Sequence, residues 1–155
     1  MKTTFRKSIE RACYQFLLVC IALYSPAGLA QQDAVAAGRV VVTRGQVSAI
    51  DTDGNTRELA RGREIFVGDT VVTGAAGFAQ IRMTDSAIVS LKEATRFEIV
   101  AYAYEENPNT DVSTMRLIEG GFRTITGQIG GADNPDAYTV ETQFANIGIR
   151  GTDHE

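Results

Sequence analysis

Alternation of apolar and polar residues at period two, broken by tight-turn residues, constrains this chain more than any other feature. Between Gly68 and Leu91 the sequence reads GDTVVTGAAGFAQIRMTDSAIVSL. Val71 and Val72 lie in a first run. Ala79, Ile81 and Met83 alternate in a second, and Ala87, Val89 and Leu91 in a third. Successive strand side chains point to opposite faces, so each set predicts one side of a half-buried strand. Gly74 and Gly77 bracket one predicted turn and Asp85-Ser86 marks the next. The stretch reads as scaffold, with no catalytic group standing out.

The same pattern runs both ways from this stretch. RVVVT and QVSAI flank Arg44-Gly45, and Asp53-Gly54 separates SAID from NTREL, a strong hairpin signal. RFEIVAYAY sets Phe97, Ile99, Ala101 and Ala103 opposite Glu98, Val100, Tyr102 and Tyr104. EENPNTD, residues 105–111, is a polar exposed tip; VSTMRLIE resumes a strand, broken by Gly120-Gly121. Residues 126–136 form a glycine-rich loop expected to be mobile, and two further runs follow. The predicted fold class is all-β: short antiparallel strands in a sandwich or a rolled, β-helix-like sheet. Alternation fixes faces and leaves strand order open.

A different pattern occupies residues 1–30. Lys2, Arg6, Lys7 and Arg11 precede an apolar run from Tyr14 to Tyr24, and Gly28-Leu29-Ala30 supplies small residues for cleavage. This predicts a signal-peptide helix cleaved after Ala30, and the apolar run is short of the roughly 20 residues a spanning helix needs. The expected organisation is a signal peptide over 1–30, a flexible lead-in over 31–37 and a β-domain over 38–155. Localisation is expected to be periplasmic or secreted, without stable membrane insertion after cleavage. The sequence stops just after the strand-like IGIRG, so a shortened chain, or a fragment whose remaining strands lie beyond Glu155, is expected, because a terminal strand would leave an open edge. Both cysteines, Cys13 and Cys20, fall in the leader, so the exported part is expected to use neither disulfides nor thiol chemistry.

With the leader go four basic residues and one acidic one. Eleven Lys plus Arg then face eighteen Asp plus Glu, a net of −7, which disfavours nucleic acid as a partner. The single His154 lies beside Asp153 and Glu155, and a solvated terminus explains that trio better than a metal site does. Asp51 to Asn55 lacks the spacing of a calcium loop and reads as a type I′ hairpin turn. Glu98, Glu105, Glu106 and Glu119 could serve as paired carboxylates only if the fold brought them together. No catalytic residue, cofactor or metal is expected. Tyr102 and Tyr104 form a candidate contact surface, for a protein or a glycan, set against the reading that they cap the core.

Three blocks in order, GDTVVTGAAGFAQIRMTDSAIVSLKEATRFEI, LIEGGFRT and VETQFANIGIRGTD, resemble the FecR-type domain of the periplasmic ferric citrate regulator family. The resemblance rests on Gly68, Asp69, Thr73, Gly74 and Gly77, then Glu119, Gly120 and Arg123, then Arg150, Gly151 and Thr152, over about residues 66–155. It implies a non-enzymatic all-β periplasmic domain that works by contacting another envelope protein. Asp85-Ser86 stands where the family often has Asp-Gly, Gln143 where a Pro is common, and His154 where an aromatic is usual. The family regulator's cytoplasmic, sigma-factor-binding segment is expected to be lacking. The alternative reading is a cell-envelope carbohydrate-binding or structural module.

Overall fold

The computed structural model describes residues 35–131, 134, 136–143 and 145–148. The expected signal peptide, most of the lead-in, and Arg150, Gly151, Thr152 and His154 lie outside the described residues. Among the described residues twelve strands form: β1 (Ala36–Arg44), β2 (Val47–Ile50), β3 (Thr56–Glu58), β4 (Glu64–Phe66), β5 (Thr70–Thr73), β6 (Phe78–Met83), β7 (Ile88–Leu91), β8 (Arg96–Ala103), β9 (Val112–Glu119), β10 (Phe122–Ile125), β11 (Tyr138–Thr142) and β12 (Asn146–Gly148). No helix occurs among the described residues.

Period-two patterning sorts the strands into a sandwich. One sheet has five strands in the order β10-β7-β6-β1-β4, the other seven in the order β12-β11-β9-β8-β5-β2-β3. Val40, Ile65, Ile81, Val89 and Leu91 of the first bury against Val47, Val71, Phe97, Ile99, Met115 and Tyr138 of the second. Each such side chain contributes about 1.5–3 kcal/mol on leaving water. Phe97 on β8 meets Phe122 on β10 at 5.2 Å between ring centroids, joining the two sheets directly.

Among the described strands all ladders but one are antiparallel. β11 lies parallel to β9, with Tyr138 opposite Ser113 and Thr142 opposite Leu117. A parallel neighbour needs a crossover, and β10 together with the segment after it provides one: the chain leaves β9, pairs β10 with β7 in the other sheet, then returns.

Two polar contacts fix where the chain changes sheets. Gly68 (φ +88°) takes the left-handed position of a Phe66–Asp69 turn, and the Asp69 amide donates to the Phe66 carbonyl at 3.1 Å. A side chain at Gly68 would meet Thr52 Cγ2 at 2.5 Å. Asp69 itself is buried; its carboxylate accepts Arg57 Nη1 at 2.8 Å, Arg57 Nη2, and the Phe66 amide at 2.7 Å. Arg57 Nη2 also donates to the Glu64 carbonyl at 3.3 Å, so one guanidinium ties β3 to β4 across the sandwich. Its pKa is raised above the usual arginine value, mainly by the hydrogen bond to Asp69.

The second contact centres on Thr73 and Thr95. Thr73 Oγ1 donates to the Lys92 carbonyl at 2.6 Å and accepts the Thr95 amide at 2.9 Å. Thr95 Oγ1 donates to the Gly121 carbonyl at 3.0 Å and accepts the Gly121 amide at 3.1 Å. Gly120 (φ +86°) passes so close that a Cβ there would lie 2.4 Å from Thr95 Oγ1. The step from β9 to β10 is thereby locked to the β7–β8 corner.

Three expectations are revised. β1 starts at Ala36, with Ala37 fully buried, so the last two residues of the 31–37 lead-in belong to the sheet. The Asp51–Asn55 turn is not type I′, which needs positive φ at both central residues. Only Gly54 has it (φ +84°), the Gly54 amide donates to the Asp51 carbonyl, and Asp51 accepts the Asp53 and Asn55 amides. That is a type I turn followed by a left-handed residue. The described part of the glycine-rich loop is pinned, with Ile129 in the core.

The β6–β7 turn repeats this turn geometry with Ser86 (φ +74°) at the left-handed position. A non-glycine residue there is strained by about 1–2 kcal/mol, partly offset by the greater entropy of an unfolded glycine. Ser86→Gly is therefore expected to stabilise the domain by about 0.5–1 kcal/mol in urea unfolding; an unchanged or lower midpoint would refute the strain. Asp69→Asn leaves Arg57 without its charge partner and is expected to destabilise by about 2–4 kcal/mol in the same assay, whereas a loss within error of zero would show that Arg57 does not hold the sheet junction.

Candidate functional site

The two loops singled out by composition meet at one end of the sandwich. After β8 the chain enters residues 105–111, whose geometry comes from Asp111. That buried carboxylate accepts the Glu105 amide at 2.7 Å and the Asn107 amide at 3.1 Å. The Asn107 carbonyl in turn accepts the Thr110 and Asp111 amides, leaving residues 105–110 exposed on a closed, hydrogen-bonded tip. Asn134 Nδ2 donates to the Pro108 carbonyl at 2.6 Å, linking the glycine-rich loop to this tip. The cleft between them, lined by Pro108, Asp111, Gln128, Ile129 and Asn134, encloses about 60 Å³. That holds a few waters and is far below the roughly 300–1,000 Å³ of a small-molecule site. This end offers a surface to contact, with no pocket to fill.

Asp85 supports the arrangement from beneath. It is fully buried in the β6–β7 turn. Oδ1 accepts the Tyr102 hydroxyl at 3.0 Å and the Ala87 amide at 3.2 Å, while Oδ2 accepts the Ile129 amide at 3.2 Å. Its backbone carbonyl accepts the Gln128 amide at 3.0 Å. Gly127 crosses so near that a Cβ would sit 2.4 Å from that carbonyl oxygen and 2.5 Å from Oδ2. One acidic side chain thus joins a turn of one sheet, a strand of the other and the glycine-rich loop.

Tyr102 and Tyr104 do not form an exposed pair. β8 carries a bulge: Ile99 pairs with Met115, yet Ala101 pairs with Thr114. The extra residue reverses the parity of everything after it, so Tyr102 joins Phe97 and Ile99 on the core side. Its ring is 6% exposed, and its hydroxyl accepts the Asp85 amide at 2.9 Å and Thr84 Oγ1 at 3.0 Å while donating to Asp85. Tyr104 is half-buried against the core, its hydroxyl enclosed without a partner among the described residues. Burial, then the charges of Glu106 and Asp111, push that hydroxyl's pKa up.

The family-motif residues are dispersed. Gly68 and Asp69 hold one sheet junction; Thr73, Gly74, Gly77 and Gly120 build the other end of the sandwich. Glu119 is exposed opposite Arg96, and Arg123 is exposed on β10. Nor do the four carboxylates converge. Glu98 accepts Arg116 Nη1 at 2.8 Å, and Arg116 also holds Glu141 at 2.7 Å. Glu105 and Glu106 lie beyond the opposite end of β8, and Glu119 at the far end of β9. Sequence reasoning missed Arg57, Asp85, Thr95 and Asp111 as organisers. Only Asp85 and Asp111 carried a signal, each being an acid within a predicted turn or loop.

Burial is the main reason the Tyr102 hydroxyl is pushed well above the ordinary tyrosine pKa of about 10, with the Thr84 hydrogen bond opposing it. The folded chain therefore keeps a proton that the unfolded chain releases. This stability is fully present below about pH 10 and is lost as pH rises beyond it. Tyr102→Phe is expected to destabilise by about 1–3 kcal/mol at pH 8, since Asp85 loses a donor and its amide an acceptor. It should also flatten the alkaline fall in urea-unfolding free energy, leaving the share due to Tyr138 and Tyr104. An unchanged stability and an unchanged alkaline slope would contradict this role.

Comparison with known proteins places the arrangement in a family. No curated protein matches the chain. A solved structure described as "Cell surface anchoring domain" is 31% identical and covers 40% of this chain and 82% of its own, with a TM-score of 0.39, a superposition too loose to establish a shared fold. The family described as "FecR protein" matches residues 69–155. That segment runs from the buried Asp69 through both loops and is more than half of the sequence: the chain belongs to the FecR protein family.

Proposed function

We propose that this chain is an exported, non-catalytic FecR-like domain that serves protein–protein recognition or envelope signalling in the periplasm. Membership of the FecR protein family carries the reading. The fate of the charged side chains supports it. Asp69 is held by Arg57, Asp85 and Asp111 by main-chain amides, and Glu98 and Glu141 by Arg116. Each of these acids is committed to architecture, whereas a general acid or base needs a group free to exchange a proton with a substrate. The basic residues followed by an apolar run in residues 1–30 have the pattern of a signal peptide, which supports export.

Presentation is the mechanism that this geometry favours. Asp111 and Asp85 set the two loops on a rigid sandwich, so a partner meets an ordered tip and little entropy is lost on binding. Glycan recognition by stacking had its support in Tyr102 and Tyr104, and their inward orientation removes it.

The test is a pull-down from envelope extracts with the tagged chain, beside a Glu105→Lys/Glu106→Lys variant that alters the exposed tip and spares Asp111. Recovery of a defined envelope protein at mild salt, reduced several-fold by the variant, is the expected result. If no specific protein is retained, the recognition reading fails.

A further inference from the structure

Arginine is distributed unevenly over this acidic domain. The outer face of the five-stranded sheet is described by its ladders. One cross-strand row reads Glu64, Arg39, Arg82, Ile88, Ile125, and the next reads Val42, Gln80, Ser90, Arg123. Arg44 lies beyond them, its guanidinium 4.8 Å over the Phe78 ring. Glu64 is the sole acid in these rows, and its contact with Arg39 is a long, exposed one at 3.4 Å. Arg82 and Arg123 are exposed and form no ion pair among the described residues. Arg39, Arg61, Arg82 and Glu64 also line a cavity of about 560 Å³ beside Gly38 and Gly62. Val42 and Ile125, both exposed, stand between the arginines.

We infer that this face docks an acidic polypeptide segment, its carboxylates on Arg39, Arg82 and Arg123 and its apolar side chains on Val42 and Ile125. The inference rests on the protein-recognition reading and adds to the loop-bearing tip a second surface, with the chemistry of the segment it takes. Three observations select that occupant. The cations of these two rows are arginines, and Arg forms the bidentate carboxylate pairs that lysine does not. Arginine with interspersed apolar residues is the composition of protein interfaces, in which lysine is depleted. Sugar rings would need an exposed aromatic platform, and the aromatic of this face, Phe78, is already covered by Arg44.

Size sets the form of the partner. Strands about 4.8 Å apart, with about 3.4 Å per residue, give five strands a face of roughly 20 by 15 Å. That is well under the ~800 Å² per partner of a standard globular interface, and it fits a short segment. The domain's overall negative charge does not prevent docking, because charges beyond about 8–10 Å are screened at physiological salt.

The experiment measures binding of fluorescent poly-L-glutamate to the full chain and to Arg39→Glu/Arg82→Glu/Arg123→Glu, with Arg82→Gln/Arg123→Gln as a milder variant. Circular dichroism confirms folding of both variants. Wild-type binding that weakens with salt, falls at least about tenfold in the triple variant and falls partially in the glutamine variant is expected. Absence of wild-type binding, or equal binding by all three proteins, overturns the inference. Binding to phosphatidylglycerol-containing vesicles without binding to poly-L-glutamate overturns it in favour of a lipid surface. The envelope pull-down repeated with the triple variant separates the two readings. A partner retained equally by wild type and variant leaves recognition standing and removes this face, and a partner retained by neither removes recognition itself.

Discussion

A carboxyl group buried without a cation is the constraint on which the loop-bearing end of this domain depends. Asp85 lies in a β6–β7 turn and is wholly shielded from water. Burial of such a group costs several kcal/mol unless hydrogen bonds replace its hydration. Here the replacement comes from three directions: Ala87 in its own turn, Tyr102 in the opposite sheet, and Ile129 in the glycine-rich loop. Each donor is held by the need to satisfy Asp85, and so the spacing of the sheets and the course of the loop are set together. Hydrophobic burial drives the two faces together without specifying one register; directional hydrogen bonds to a buried acceptor specify it.

The opposite end uses hydroxyls for the same purpose. Thr73 and Thr95 satisfy each other's surroundings and clasp Gly121, with Gly120 forced against Thr95. This clasp turns the chain at the end of β9 toward the five-stranded sheet, where β10 pairs with β7. The parallel β9–β11 pair then follows, since a chain that has crossed to the other sheet re-enters beside β9 in the same direction. The family-motif residues Thr73, Gly74, Gly77 and Gly120 are constituents of this end, which explains why they mark the fold without marking a binding cleft.

Local rules made most of the strands legible. Alternation in β6 and β7 gave the correct buried faces, Ala79, Ile81 and Met83 and then Val89 and Leu91, because neither strand contains a bulge. It failed in β8, where one extra residue near Val100 exchanged the faces and turned Tyr102 and Tyr104 inward. A bulge leaves little trace in a period-two pattern when the residues around it, Val100 and Ala101, are tolerated on either side of a sheet. The partners of Asp69 and Asp85 were equally hidden. Arg57 is twelve residues from Asp69 and Ile129 forty-four from Asp85, and only the tertiary path brings them within hydrogen-bonding distance. The two loops were visible as glycine and polar clusters, but their meeting depended on Asn134 reaching Pro108.

The choice of acceptors also shapes the surface. Had Asp85 and Asp111 been neutralised by cations, two more arginines would be drawn toward the interior. Main-chain amides and a tyrosine hydroxyl serve instead. Among the described residues, Arg57 and Arg116 are spent on acids of the seven-stranded side, and Arg39 on a loose contact. The remaining guanidiniums stay at the surface, several of them on one sheet face. Guanidinium is only weakly hydrated compared with ammonium, so a face of arginines is less costly to desolvate than one of lysines. An acidic domain that satisfies its buried acids with backbone amides thereby keeps its few cations available for contact.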